Sequence, residues 1–382
     1  MTDRIVAVFS GGGTGGHLYP ALALAQALTE RRPDVHPFFI GALRGLESRV
    51  FPEMGVEHLL VPVEGLRRGA LLANVRILAL FAMALMRAAA AFHRLRPQLV
   101  VVTGGYAGGP AGLVAVLTGT SLVLQEQNAL PGVTTRFLSL FAREVHLAYP
   151  ESLEALPTTS RRKALVSGNP VREPEAVDRD EAARALGLKA GGRVVLVTGG
   201  SQGSEALNEA VLDAVTRVRG GSLALPDGVQ LLWATGREHV SAVGEAIRGL
   251  GSPSWVRAVG YLDRMPLALS LARVAVSRGG AMATSEFLAW GIPSILVPLP
   301  TAAGDHQSRN AAALSDAGAA IHIPQSGATG EALWREVTAL LGDSRRWERM
   351  ARVARARGRP RAAHEIAGSL ERHLPPARAG GG

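Results

Sequence analysis

Apolar residues along this chain come in short unbroken runs, most of them followed by glycine and then by a segment with helical spacing. In the first half, residues 4–10, 36–40, 58–62, 99–103, 121–125 and 144–148 read as strands. Runs such as Leu99-Val100-Val101-Val102 do not alternate with polar residues, the pattern of strands covered on both faces. Residues 20–30, 47–54, 73–94 and 109–117 carry helical periodicity between them. The second half repeats the alternation, with strands at 193–198, 229–235, 255–260, 274–277, 294–298 and 320–323 and a helix at 205–218. Strands alternating with helices predict parallel sheets, which bind ligands at the carboxyl ends of their strands.

An internal echo points to duplication. Residues 99–105 and 274–280 each read as strand then glycine pair, and each leads through a helix and a glycine turn to another strand. At 382 residues the chain exceeds what one core normally supports. The prediction is two doubly wound α/β domains joined near Gly168-Asn169-Pro170, at 1–168 and 169–349. An arginine-rich helical segment at about 350–374 is expected to pack back on the first domain, and the tail from Pro375 to fray.

Composition narrows the chemistry. With no cysteine, disulfides, thiolate zinc sites and a cysteine nucleophile are excluded. The five apolar residues after Arg4 are too few for an export signal, so none is expected. A net charge of +9 suits nucleic acid, anionic lipid or phosphorylated substrates. Aromatic residues make up only 5% and do not interleave with basic ones, which argues against nucleic acid.

Four glycine-rich loops follow four of the strands, at 10–16, 104–109, 199–203 and 279–280. The first, Ser10-Gly11-Gly12-Gly13-Thr14-Gly15-Gly16-His17, has the parts of a phosphate cradle: a strand, a turn in which the backbone can approach an anion, and a helix start. A tight turn without ligand satisfies the same pattern. His17 at its mouth adds a group able to exchange protons near neutral pH. No Gly-Lys-Ser/Thr follows, and no acid is well placed about 20 residues on, so neither a P-loop nor a dinucleotide fingerprint is met. Glu286 reads either as a ribose partner or as a first-turn helix acid. Asp305-His306-Gln307 reads as a surface turn or a sugar partner, and Arg172 as a surface charge or a diphosphate partner. Between Arg67 and Arg96, arginines flank a ten-residue apolar run, Ile77 to Met86. That run is too short to span a bilayer. It suits a core-facing helix or an interfacial one.

Taken together, Gly12 to His17 with Pro20, Gly104-Gly105-Tyr106, Glu126-Gln127-Asn128, Gly168 to Arg172, Gly199 to Gly203, Ser285-Glu286 and Asp305-His306-Gln307 resemble glycosyltransferase family 28. The likeness is to its peptidoglycan branch, the N-acetylglucosaminyltransferases that turn lipid I into lipid II, and it runs from about residue 5 to 372. It implies a GT-B fold, two Rossmann-like domains separated by a cleft, and an inverting transfer without metal or other cofactor. The implied substrates are UDP-N-acetylglucosamine and undecaprenyl-diphospho-N-acetylmuramoyl-pentapeptide, met at the cytoplasmic face of the bacterial inner membrane. On the donor side the resemblance implies Thr14, Gly15, Gly16, Asn128, Arg172, Ser201, Leu262 through its backbone, Glu286 on the ribose and Gln307 on the sugar. Ala281, Met282, Ala283, Thr284 and Ser285 would form the helix start at the phosphates. Gly13, His17, Gly104, Gly105, Tyr106 and Glu126 would meet the acceptor or its diphosphate, with His17 as the base. Arg67, Arg68, Leu71, Leu72, Arg76, Leu80, Phe81 and Arg87 would face an anionic membrane surface, and no residue is expected to bind metal. Two positions depart from the family's habit: Gln125 stands where histidine is common, and Ala283 where a hydroxyl residue is common. Alternatives within the fold are a glycolipid glycosyltransferase or a UDP-N-acetylglucosamine 2-epimerase.

Overall fold

The computed structural model describes residues 4–65 and 71–377, without the side chains of 71–74. The chain divides into two units. Unit 1 contains the residues up to Val171 and those from Arg361 onward, and unit 2 is Arg172–Pro360.

Unit 1 is built on seven parallel strands in the order β3-β2-β1-β4-β5-β6-β7. They are β1 (Ile5–Gly12), β2 (Val35–Ala42), β3 (His58–Val61), β4 (Leu99–Gly104), β5 (Ser121–Glu126), β6 (Glu144–Leu147) and β7 (Ala164–Val166). Both faces of β1 are buried. Val6 and Val8 pack in one cluster with Ala84, Ala88, Ala111 and Val114 of the helices Leu71–Leu95 and Gly105–Thr118. Ile5, Ala7 and Phe9 pack in another with Leu24, Leu28, Ile366 and Leu370 of Gly15–Arg31 and Ala362–Glu371. Two covered faces are the reason the strand residues do not alternate.

Unit 2 repeats the plan with six parallel strands in the order β10-β9-β8-β11-β12-β13. These are β8 (Arg193–Thr198), β9 (Val229–Ala234), β10 (Val256–Val259), β11 (Ala272–Ser277), β12 (Ser294–Leu296) and β13 (Ala320–His322). In each sheet the order reverses once, between β1 and β4 and between β8 and β11. The crevice at such a reversal is where doubly wound sheets bind ligands. The four glycine loops follow these four strands, so they pair into two sites, one in each unit.

Several sequence expectations are corrected. β1 continues through Gly12, and the next helix begins at Gly15, five residues before the expected start. Only Gly13 and Thr14 turn the chain. The helix expected at 109–117 begins at Gly105. β7 was not expected; it is a three-residue edge strand, too short for a pattern. The division falls after Val171 rather than 168. The return to unit 1 begins at Arg361 rather than about 350, because helix Ser344–Arg357 buries Met350 in the core of unit 2. Helix Ala362–Glu371 is the part that packs on unit 1.

Candidate active site

In unit 1 the turn after β1 is held from below. Gly13 donates its N–H to Oε1 of Glu47 at 2.5 Å, and Glu47 is fully buried at the start of helix Glu47–Met54. Gly12 pairs with Gly105. A Cβ at 105 would lie 2.1 Å from the Gly12 carbonyl oxygen, and φ there is +73°, so only glycine lets the two loops meet. Helix Gly15–Arg31 has no side-chain cap; His17 donates its N–H to the Thr14 carbonyl at 3.1 Å, which leaves the N–H groups of Gly15 and Gly16 at the very start without an intrahelical acceptor. The site therefore offers backbone donors to an anion.

His17 sits in that first turn. Its Nδ1 lies 2.9 Å from the carbonyl oxygen of Thr103 and 2.8 Å from Oε1 of Gln127. Thr103 in turn donates its hydroxyl to the His17 carbonyl at 2.7 Å. A Cβ at Gly104 would come within 3.0 Å of Nδ1, so glycine there makes room for the ring. Tyr106 is exposed, beside Gly13 and Gly65. Glu126 is spent on its own loop: Oε1 accepts from the N–H and Nδ2 of Asn128, and Oε2 from the N–H of Gly132. This corrects the expectation that Glu126 faces the acceptor. Its carboxylate shapes the loop that carries Asn128.

In unit 2 helix Ala281–Trp290 starts after Gly280 with no side-chain cap. Thr284 is buried and donates its hydroxyl to its own helix, toward the Gly280 and Ala281 carbonyls, and Ser285 is buried as well. Backbone therefore dominates what 281–285 present. Glu286 is half-buried, one turn on. Burial pushes its carboxyl up to about 7, against the opposing pull of Arg172. Arg172 itself is exposed, as is Ser201 on the turn after β8. The Leu262 side chain is in the core, leaving its backbone to offer. Gln307 accepts the Leu299 N–H on Oε1 at 3.0 Å, which directs its amide.

Sequence reasoning missed two charged residues here. Arg278 is buried beside the second loop, donating Nη1 to the carbonyls of Val297 and Pro298 at 3.0 and 3.2 Å. Glu47 lies outside every glycine loop and is joined to its site only by folding. Of the membrane residues, Arg67 and Arg68 lie outside the described residues, as do the side chains of Leu71 and Leu72. Leu80 and Phe81 are half-buried, Phe81 against Gly109. The exposed apolar residues on that helix are instead Val75, Leu78, Met83 and Met86, with Arg76 and Arg87 also exposed. The stretch Val75–Leu95 is long and apolar enough to cross a membrane by length and composition. Ile77, Ala84, Ala88, Ala91 and Phe92 are buried, so one side of the helix packs on the unit while the other stays exposed.

Two doubly wound units, each with an uncapped helix start at its strand-order reversal, define a two-domain fold of the GT-B class. Comparison agrees on both halves. The glycosyltransferase family 28 N-terminal domain matches residues 7–147 and the C-terminal domain of that family matches 194–366. The chain belongs to glycosyltransferase family 28. It is 38% identical over 364 residues to the UDP-N-acetylglucosamine--N-acetylmuramyl-(pentapeptide) pyrophosphoryl-undecaprenol N-acetylglucosamine transferase of Desulfitobacterium hafniense strain Y51, covering 94% of this chain and 96% of that protein. The transferase of the same name from Chlorobaculum parvum is 40% identical, covering 95% of this chain and 98% of that protein. The crystal structure of Acinetobacter baumannii MurG superposes with a TM-score of 0.75 at 26% identity, covering 97% of this chain and 99% of that one. A UDP-N-acetylglucosamine 2-epimerase from Neisseria meningitidis superposes at 0.66 with 14% identity over 96% of this chain and 99% of that one, a likeness of fold alone.

Proposed function

We propose that the protein transfers N-acetylglucosamine from UDP-N-acetylglucosamine to the 4-hydroxyl of the muramoyl sugar in undecaprenyl-diphospho-N-acetylmuramoyl-pentapeptide, with inversion. The observation that carries this reading is that the 38–40% identity to transferases of that name spans both units. Both the donor half and the acceptor half are therefore covered. Unit 2 takes the donor, with the ribose on Glu286 and the phosphates at the Ala281–Trp290 helix start. Unit 1 takes the acceptor diphosphate at the start of Gly15–Arg31, with Tyr106 alongside; the Gly13 N–H is held by Glu47 and shapes the turn rather than meeting the phosphates.

The acceptor oxygen attacks the anomeric carbon while the bond to UDP breaks. Its proton goes to Nε2 of His17, and UDP leaves with the bonding electron pair. The charge gained by UDP is met by backbone N–H groups at the helix start, by Arg172 and by the buried Arg278, a set that asks for no metal. The outer face of Leu71–Leu95 seats unit 1 on an anionic cytoplasmic leaflet: Val75, Leu78, Met83 and Met86 enter the interface and Arg76 and Arg87 meet headgroups.

The test is labelled UDP-N-acetylglucosamine with a lipid I analogue, scored for the disaccharide product. Failure to form it sinks the reading. Release of N-acetylmannosamine from the donor alone would favour the epimerase instead.

A further inference from the structure

The ring nitrogen that His17 leaves available is set by a closed network of buried amides. Gln125, Gln127 and Asn169 are all buried, and none of them titrates. A backbone carbonyl can only accept, so each amide's orientation follows from the carbonyl it touches. Gln127 donates Nε2 to the Gln125 carbonyl at 3.1 Å and also to Gln125 Oε1, which leaves its Oε1 toward His17. Asn169 donates Nδ2 to the Gln127 carbonyl at 3.1 Å, so its Oδ1 faces Gln125. Gln125 then donates Nε2 to Asn169 Oδ1 at 2.9 Å. The ring of three closes with no ambiguity in any member.

At its end, Nδ1 of His17 faces two oxygens that can only accept, Thr103 O and Gln127 Oε1. The proton of the neutral imidazole must therefore be on Nδ1, and the lone pair on Nε2. No hydrogen bond to Nε2 is made by the described residues.

We propose that Gln127, oriented by Gln125 and Asn169, is a positioning residue that holds His17 as the Nδ1–H tautomer and points a basic Nε2 at the acceptor hydroxyl. The proposal rests on His17 being the base. Its logic is that of an orienting partner in a catalytic triad, supplied by neutral amides in place of a carboxylate.

The full chain, labelled with 15N-histidine, tests this by two-bond proton–nitrogen NMR at pH 8, with the His17 signals assigned by their loss in His17→Ala. The expected result is a pyrrole-type Nδ1 and a pyridine-type Nε2. Gln127→Leu should lower turnover about 10-fold, a part of the 10²–10⁴-fold that a general base supplies, and leave the donor KM unchanged. In that variant Thr103 O still accepts from Nδ1, so the His17 nitrogen signals should move only part of the way toward each other. A protonated Nε2 in the wild-type protein, or wild-type turnover in Gln127→Leu, overturns the proposal. The wild-type spectrum needs no variant to fold with Leu at 127. Failure of the base reading is separable: His17→Ala would then keep its turnover whatever the tautomer.

Discussion

The two units present the same local grammar, strand, glycine turn and uncapped helix, yet load it with opposite chemistry. In unit 1 the helix start carries an imidazole whose Nδ1 is committed to neutral oxygens. In unit 2 the helix carries, in its second turn, a carboxyl pushed up to about 7, with one arginine exposed and another buried nearby. The first arrangement can take a proton from a bound hydroxyl. The second can hold a diol and stabilise a diphosphate. Duplication supplied the anion-binding backbone twice, and side chains divided the labour.

The division breaks most visibly at His17. His17→Ala should lower turnover by about 10²–10⁴-fold, the span of general base catalysis, and leave the donor KM within a few-fold. Initial rates at saturating acceptor check this. A loss carried by the donor KM would mean that unit 1 holds the nucleotide and the division is wrong.

The next effect is on the other side. Glu286→Ala should raise the donor KM by roughly 10–100-fold, since hydrogen bonds to a charged group are worth about 1.5–3 kcal/mol. Turnover at saturation should change much less. As pH falls through about 7 the wild-type carboxyl takes up a proton and loses an acceptor, so the donor KM should rise. In Glu286→Gln that pH dependence should vanish, which titration of KM between pH 6 and 8 would reveal.

A smaller effect tests the proposal that unit 1 is the unit that meets lipid. Leu78→Glu with Met86→Glu should cut co-sedimentation with anionic vesicles about 10-fold, as expected for two lost apolar contacts. Activity on a short-chain, soluble acceptor should persist. Polar replacements at Leu80 and Phe81 would instead disturb packing, since both are half-buried.

This last contrast marks what the sequence could convey. The strands were legible because burial on both faces leaves unbroken apolar runs, and the four loops because glycine is dense there. The helix starts at Gly15 and Gly105 were not, because glycine is a poor helix former and tertiary contact overrides that preference. Leu80 and Phe81 lie in the apolar run expected at the membrane, but which side of a helix faces out depends on a neighbour, Gly109, that no local pattern contains. Glu47 reaches the first site from 34 residues away, and Asn169 binds Gln125 from 44. Such partners become visible only once the sheet brings their strands together.

The smallest expected effect tests whether Glu286 is strained in the unliganded protein. Its carboxyl goes from an ordinary 4.5 when unfolded to about 7 when folded. Between those values the folded chain keeps a proton that the unfolded chain releases. Stability from this group is therefore fully present below about 4.5 and is lost as pH rises through 7. Glu286→Gln removes the titration, so its melting temperature should match the wild type at pH 4.5 and exceed it at pH 8. The gain should be on the order of 1–2 kcal/mol, allowing for water at a half-buried group. For a unit of this size that is a few degrees. Differential scanning calorimetry at the two pH values reads it directly. Equal melting temperatures at both would mean that the carboxylate is already satisfied without ligand. Unit 2 would then bind the donor without the relief of strain that distinguishes it from unit 1, whose imidazole is hydrogen-bonded before any substrate arrives.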